Sequence, residues 1–198
     1  MAADLERDVR RAILLGAYVR AWGVPINRSL ARRGSEIIEV YAFPGRKDER
    51  VNRFATVGVS ALRRDGDKLA NWELLLVVPA DNGGASEGEV ISFLVDTASY
   101  SLRSDVRFNV GQTIPPSPLL PSCWGARALL LDDPRGEAAE LSDSHVGIQH
   151  IKLVWLVPIH TDERDLILSR GIEAFDHAEA ATQWSLADPN RPSVLAKQ

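Results

Sequence analysis

The chain has 198 residues, of which 45% are hydrophobic and 25% are charged. This length and composition are typical of one globular domain and argue against a disordered chain. The one cysteine, Cys123, excludes an internal disulfide, and the apolar runs are shorter than the roughly 20 residues of a membrane helix. We therefore expect a cytoplasmic protein without a secretory leader.

The net charge of -4 is distributed unevenly. Residues 1–33 hold seven arginines against three acids, and residues 129–190 hold twelve acids against four basic residues. The basic start is compatible with a nucleic-acid binder, but it fits better the solvent-facing side of a first helix through Arg7, Arg10 and Arg11. No basic stretch is interleaved with aromatic residues, so we expect no nucleic-acid binding. The acidic final third favours a basic protein partner.

In chain order, helical periodicity first predicts a helix over residues 4–22, ended by Gly23 and Pro25. Its predicted apolar face consists of Leu5, Val9, Ala12, Ile13, Gly16 and Ala17. Strands are predicted over residues 36–43, 53–61 and 72–78, with a tight turn at Asp65-Gly66. Ser86 and Glu89 have the spacing of a capping box, which predicts a second helix.

Residues 103–122 contain four prolines and are predicted to form a loop around one short strand. Strands follow over residues 124–131 and 148–159, separated by an acidic loop over residues 133–145. Thr161 is predicted to cap a last helix, which carries Glu163 in its first turn and is interrupted by Gly171. We interpret Glu163 as structural, because a carboxylate there can accept from exposed N–H groups.

The strands are grouped and do not alternate with helices. This order predicts an α/β protein of the α+β type, with a mixed, largely antiparallel central sheet flanked by helices. The strands over residues 72–78 and 148–159 should be adjacent at its centre, with four side chains buried: Leu74, Leu76, Val154 and Leu156. We expect a single domain over residues 1–187 and a frayed tail over residues 188–198.

The sequence contains no recognisable catalytic or cofactor motif. His145, His150, His160 and His177 lack metal-ligand spacing, Ser60 lacks the glycines of a nucleophile turn, and Gly83-Gly84 precedes acids that would repel phosphate. Cys123 is expected to be a small buried hydrophobe. We therefore expect no catalytic residue, metal or cofactor, although an unrecognised hydrolase stays open because catalytic geometry leaves no fixed sequence order.

Several ordered segments resemble the suppressor-of-fused-like domain family. Phe54 to Ser60 resembles the family's "TvGlS" strand, Glu73 to Pro79 its "ELll.lP" strand, and Gly111 to Ile114 its segment before a proline-rich loop. The most specific part is Leu156 to Ile159 followed by Glu163 and Gly171, which is similar to the family's "LvPI…E…G" signature. The resemblance spans residues 15–180 and implies a mixed sheet between helices and a non-enzymatic protein-binding role.

The short chain is similar to the stand-alone bacterial members of that family. These are associated with polymorphic toxin systems, so the resemblance implies an immunity protein that neutralises a toxin, with a general cytoplasmic adaptor as the alternative. The partner would be a protein, with a basic toxin domain as the candidate, and no nucleic acid or membrane is expected. From the charge distribution we predict that the partner-binding residues are Asp132, Asp133, Glu137, Glu140 and Asp143.

Overall fold

The computed structural model describes residues 2–33, 36–46, 48–63, 68–103 and 105–196. The helices are α1 (Ala2–Trp22), α2 (Glu87–Ser101), α3 (Ala139–Ser142), α4 (Thr161–Arg170) and α5 (Ile172–Ala180). The strands are β1 (Asn27–Arg33), β2 (Glu36–Pro44), β3 (Val51–Val57), β4 (Trp72–Pro79), β5 (Thr113–Ile114), β6 (Ala128–Asp132), β7 (Asp143–Val146) and β8 (Gln149–Ile159). Two short 3-10 helices cover Val59–Ala61 and Asn82–Gly84.

The strands form one sheet in the order β1-β2-β3-β4-β8-β6-β5, and β7 pairs with the first half of β8. The strand pairs are antiparallel except for β4 and β8, which run parallel. In that pair Leu74 lies opposite Val154, and Leu75 lies opposite Trp155. The predicted mixed, largely antiparallel sheet flanked by helices is confirmed, as is the adjacency of its two most apolar strands.

Alternate side chains of the central strands enter two different cores. Leu74 and Leu76 point towards α2 and pack in one cluster with Phe93, whereas Leu75 points into the cluster that contains Tyr18 of α1. The four side chains predicted to be buried at the centre are each at most 3% exposed. Because a strand alternates its side chains between faces, a strand covered on both sides has to be apolar along its length, as β4 nearly is.

The apolar face predicted for α1 was wrong. Leu5, Val9 and Ile13 are 66%, 46% and 39% exposed. The side chains that face the sheet are spaced by four residues and are Arg10, Leu14, Tyr18 and Trp22. The apolar side chains do recur at helical spacing, but they lie on the solvent-exposed face of α1. The face packed against the sheet contains Arg10, which the periodicity had placed in solvent.

Two strands and a short helix were missed because their sequences carry no apolar pattern. Strand β1 reads NRSLARR and joins the sheet edge through main-chain pairing with β2. The predicted acidic loop contains α3 and β7, and β7 reads DSHV against the start of β8. The hydrogen bonds of an edge strand need no apolar side chains, so neither strand gives an alternation to detect.

Some boundaries also differ from those predicted. The strand predicted over residues 53–61 ends at Val57, because Gly58 takes a φ of 113° and begins a 3-10 turn. The strand predicted from residue 124 begins at Ala128. The residue that caps α4 is His160, and Thr161 is the first residue of the helix. The capping box of Ser86 and Glu89 is present, and the turn predicted at Asp65-Gly66 lies outside the described residues.

Candidate protein-binding surfaces

A fully buried carboxylate joins the end of β3 to the start of β4. Glu73 accepts hydrogen bonds from the hydroxyls of Thr56 and Ser60, each at 2.7 Å. Its oxygens also accept from the backbone N–H groups of Gly58, Val59 and Ser60, at 2.9, 3.2 and 3.0 Å. Burial raises the pKa of Glu73 although these donors favour the ionised form. Every one of these donors comes from the chain itself, so the carboxylate fixes a turn and is not available to a ligand.

This arrangement gives the Phe54–Ser60 segment a structural role. A Cβ on Gly58 would lie 2.9 Å from the carbonyl oxygen of Ile37, which is too close for a side chain. The positive φ of Gly58 also disfavours every residue except glycine at this position. No sequence motif assigned a role to Glu73. The available signal was a lone acid at the start of an otherwise apolar strand, which predicts a set of donors around it.

A second buried carboxylate holds the end of the chain against α4. Glu163 accepts from Arg191 Nη1 at 2.5 Å and Nη2 at 2.8 Å, and from the backbone N–H groups of Val194 at 2.7 Å and His160 at 2.8 Å. The side chains of Glu163 and Arg191 are 0% and 2% exposed. These contacts support the structural interpretation of Glu163.

The same contacts contradict the expectation of a frayed tail for residues 188–196. Pro189 accepts a hydrogen bond from the N–H of Ala126 at 2.8 Å, and Asn190 bonds the N–H of Gly125 at 2.7 Å. Asn190 also donates to the carbonyl of Gly83 at 2.8 Å. Pro189 and Pro192 suggested a frayed tail, but the polar groups of this segment are hydrogen-bonded to the rest of the domain. Residues 197 and 198 lie outside the described residues.

Two of the five predicted partner-binding acids point into the protein. Asp132 is 6% exposed and its Oδ2 lies 2.7 Å from Arg135 Nε; burial raises the pKa of Asp132, and Arg135 opposes that rise. Glu137 accepts from Arg53 Nε at 2.7 Å and from Trp22 Nε1 at 2.6 Å. Both carboxylates fasten the acidic loop to the sheet and α1, so neither is free to meet a partner.

The other three predicted acids lie on the surface. Asp133 is the exposed neighbour of buried Asp132, Glu140 is exposed on α3, and Asp143 is exposed on β7, with its Oδ1 2.5 Å from His150 Nε2. The inward acids hold the loop in place, and the outward acids are thereby presented on a fixed backbone. Loops that a rigid scaffold holds in place are common positions for recognition residues.

A mostly apolar groove of about 140 Å³ lies between α2 and the proline-rich segment. Its walls include Phe93 and Tyr100 of α2, Ile114 of β5, and Pro116 and Leu119 beyond it. Among the described strands β5 pairs with β6 alone, so the groove adjoins a sheet edge. A concave apolar site at an edge can accept an apolar side chain of a partner.

The remaining candidate chemistry is dispersed. The rings of His145 and His150 are 5.1 Å apart across β7 and β8, but among the described residues no group of three or more His, Cys, Asp or Glu could hold a metal ion. Ser60 is buried and bound to Glu73, and Cys123 is exposed, so the expectation of a buried cysteine was wrong.

In the described part of the chain no helix has the length and apolarity to cross a membrane.

Comparison with solved structures shows the same fold in other proteins. A suppressor of fused homologue from Neisseria gonorrhoeae FA 1090 is 17% identical, with a TM-score of 0.73 over 96% of this chain and 98% of that chain. A chain from a Sufu–Fu complex is 16% identical, with a TM-score of 0.63 over 93% and 91%. Drosophila Suppressor of Fused is 16% identical, with a TM-score of 0.53, and the match covers 80% of this chain but 42% of that one.

Comparison with curated proteins gives no match. The family model for suppressor of fused protein (SUFU) matches residues 34–192, which include the Glu73 turn, the acidic loop and the Glu163–Arg191 pair. The match covers well over half of the chain and confirms the resemblance seen in the sequence. This protein belongs to the SUFU family.

Proposed function

We propose that this protein is a non-enzymatic protein-binding domain that acts in the cytoplasm as an immunity protein and neutralises a toxin. The SUFU family consists of non-catalytic regulators, and one structurally similar chain was solved in a Sufu–Fu complex. The observation that carries the proposal is the acidic loop, whose inward acids are bound within the protein and whose outward acids are presented on fixed backbone.

The proposed partner surface is formed by the exposed acids of that loop, Asp133, Glu140 and Asp143. Toxin domains that act on nucleic acids carry basic surfaces, and an acidic surface attracts such a domain over several ångströms before contact. Opposite charge accelerates association more than it deepens affinity. Asp132 and Glu137 support this surface from inside and do not contact the partner.

A charge-matched pair of variants tests the surface. In one, Asp133→Asn, Glu140→Gln and Asp143→Asn are combined; in the control, Asp48→Asn, Asp105→Asn and Glu173→Gln remove the same charge from exposed positions elsewhere. The association rate with the partner should fall in the loop variant more than in the control. The difference should shrink as salt is raised, because exposed charges are screened over about 8–10 Å at 0.1–0.15 M. Equal rates for the two variants would remove the acidic loop from the interface.

The immunity function has a direct cellular test. The C-terminal domain of whichever protein the neighbouring upstream gene encodes is expressed in Escherichia coli, alone and together with this protein. We expect the upstream domain to arrest growth and the wild-type protein to restore it. The loop variant should restore growth less well than wild type. An upstream domain that does not arrest growth, or an arrest that this protein leaves unchanged, contradicts the proposal.

A regulatory adaptor is the alternative function, favoured by the likeness to the chain from the Sufu–Fu complex. An adaptor would bind and retain its partner without abolishing a toxic activity. The apolar groove is the alternative surface for such a partner, with one apolar side chain of the partner as its occupant. Leu119→Asp, at a position 38% exposed, would then abolish binding without changing its salt dependence, whereas it leaves an acidic-loop interface intact.

A further inference from the structure

The solvent-facing side of α1 carries a continuous apolar stripe. Its residues are exposed apart from the half-buried Gly16, and they are Leu5, Val9, Ala12, Ile13, Gly16 and Val19. The stripe is about 21 Å long, since an α-helix rises about 1.5 Å per residue. A helix that only covers a sheet has a polar outer side, and a contiguous exposed apolar patch marks an interaction surface. The fold of one chain therefore does not explain this side of α1.

The stripe has the residue spacing of a seam between two helices. Leu5, Val9, Ala12, Gly16 and Val19 follow one another at alternate steps of four and three residues. This is the repeat of about 3.5 residues by which one helix packs along another in a coiled coil. The small residues Ala12 and Gly16 at its middle allow two helix axes to approach closely. The stripe therefore fits a second amphipathic helix.

Exposed acids border one half of the stripe, and an arginine borders the other. Glu6 and Asp8 flank its first two turns, and Arg20 flanks its last turn. An antiparallel pair of α1 helices sets the acidic half of each helix beside the basic end of the other, whereas a parallel pair sets like charges together. The stripe is thus complementary to a second copy of itself.

The other described charges near the stripe are consistent with this pattern. Three arginines of α1 line the cavity against β1 and β2 instead: Arg7, Arg10 and Arg11. Glu6 lies 3.5 Å from Arg10 of its own chain, and Arg20 borders a groove together with Arg46 and Glu140. Because Glu6 and Arg20 also have charged neighbours in their own chain, they set the orientation of the pair more than its affinity.

We propose that this protein forms a dimer by packing α1 antiparallel against α1 of a second copy. A two-fold axis midway between Ala12 and Gly16 places Val9 of one copy opposite Val19 of the other and turns Glu6 towards Arg20. One helix stripe forms an interface at or below the low end of the roughly 1,200–2,000 Å² of stable complexes, so the dimer should dissociate on dilution. This inference goes beyond the proposed function and does not depend on it.

Sedimentation equilibrium of the whole purified protein tests the association. Wild type should change from the mass of one chain to that of two as the protein concentration rises. Val9→Glu should weaken association about tenfold or more, because each dimer would bury two unpaired carboxylates in the seam. Leu168→Glu makes the same kind of change at an exposed leucine of α4 and should leave association unchanged. A wild type that stays monomeric up to near-millimolar concentration, or equal association of wild type and Val9→Glu, overturns the proposal.

Cysteine cross-linking tests the orientation. Cys123→Ser removes the native thiol, and Val9→Cys and Val19→Cys are made separately in that background. An oxidised mixture of the two variants should give a covalent dimer, and each variant alone should give much less, because a disulfide requires closely opposed Cβ atoms. Stronger cross-linking of Val9→Cys with itself than with Val19→Cys indicates parallel helices and overturns the antiparallel pairing.

A membrane surface is the competing occupant of an exposed amphipathic helix. The acids that flank the stripe are repelled by anionic lipid, so a second copy is the better fit. Wild type should not co-sediment with vesicles of phosphatidylcholine, with or without phosphatidylserine. Binding to either vesicle by a protein that stays monomeric in solution, abolished by Val9→Glu and retained in Leu168→Glu, would assign the stripe to a membrane and overturn the proposal.

Discussion

Arg191→Met should destabilise the protein strongly, although position 191 lies close to the end of the chain. The guanidinium supplies two of the four hydrogen bonds that Glu163 accepts, at 2.5 and 2.8 Å, and both side chains are buried. Methionine keeps the volume and removes the charge, which leaves a buried carboxylate without its counter-ion. Breaking a buried pair by removing one partner costs about 3–5 kcal/mol.

The free energy of unfolding is measured by urea denaturation, followed by tryptophan fluorescence. For a chain of this size the expected loss corresponds to a fall in unfolding temperature of about 6–20 °C. Arg170→Met, at the exposed end of α4, is the control for the substitution itself and should change stability by less than about 0.5 kcal/mol. Truncation after residue 187 should cost at least as much as Arg191→Met, since it removes the same guanidinium together with the N–H of Val194.

The double variant Glu163→Gln with Arg191→Met separates the pair from its surroundings. If the cost of Arg191→Met comes from the stranded carboxylate, neutralising Glu163 should recover part of it, so that the two changes are less than additive. A loss below about 1 kcal/mol for Arg191→Met, or strict additivity in the double variant, would refute the reasoning. Unchanged stability in Glu163→Gln with loss of partner binding would instead make Glu163 a functional residue.

Further expected outcomes concern the core and the charged residues. Leu156→Ala, at a fully buried position on β8, should cost about 2–5 kcal/mol in urea denaturation, and a loss below about 1 kcal/mol would contradict the central placement of β8. Burial raises the pKa of Glu39, but hydrogen bonds from Tyr41, Arg28 and Arg11 outweigh burial and leave the pKa below the ordinary value of 4.5. The ionised form of Glu39 therefore stabilises the folded state fully above pH 4.5. This stabilisation is lost as the pH falls through the lowered pKa of Glu39 in the folded state. Unfolding midpoints below pH 4.5 should consequently fall more steeply in wild type than in Glu39→Gln, and parallel curves would contradict the assignment.

The elements that could be predicted from the sequence are those whose formation depends on residues close together in the chain. The run from Trp72 to Val78 has the composition of a strand covered on both faces, and Ser86 with Glu89 satisfies the helix end within three residues. Strand β1 has no such cause, because its place depends on main-chain pairing with β2. The orientation of α1 also depends on tertiary contacts, since its inward face includes an arginine whose partner Gln149 lies 139 residues away.

The candidate site was predicted in part for a similar reason. Composition located the acidic loop, but only the strand geometry decides that Asp132 points inward while its neighbour Asp133 points outward. Glu137 is held by Trp22 and Arg53, at sequence separations of 115 and 84 residues. Arg191, the partner of Glu163, lies in a segment that proline content suggested was frayed. No local pattern contains these pairings.

These pairings also change what the acidic final third of the chain can do. The excess of acids over residues 129–190 counts Asp132, Glu137 and Glu163, and each of these carboxylates is bound to an arginine within the fold. Two of those arginines, Arg53 and Arg191, lie outside the acidic stretch. The negative electrostatic potential at the surface is therefore weaker than the excess of acidic residues over residues 129–190 indicates. Steering by the loop then depends on a few exposed carboxylates, so we expect a shallow salt dependence of the association rate.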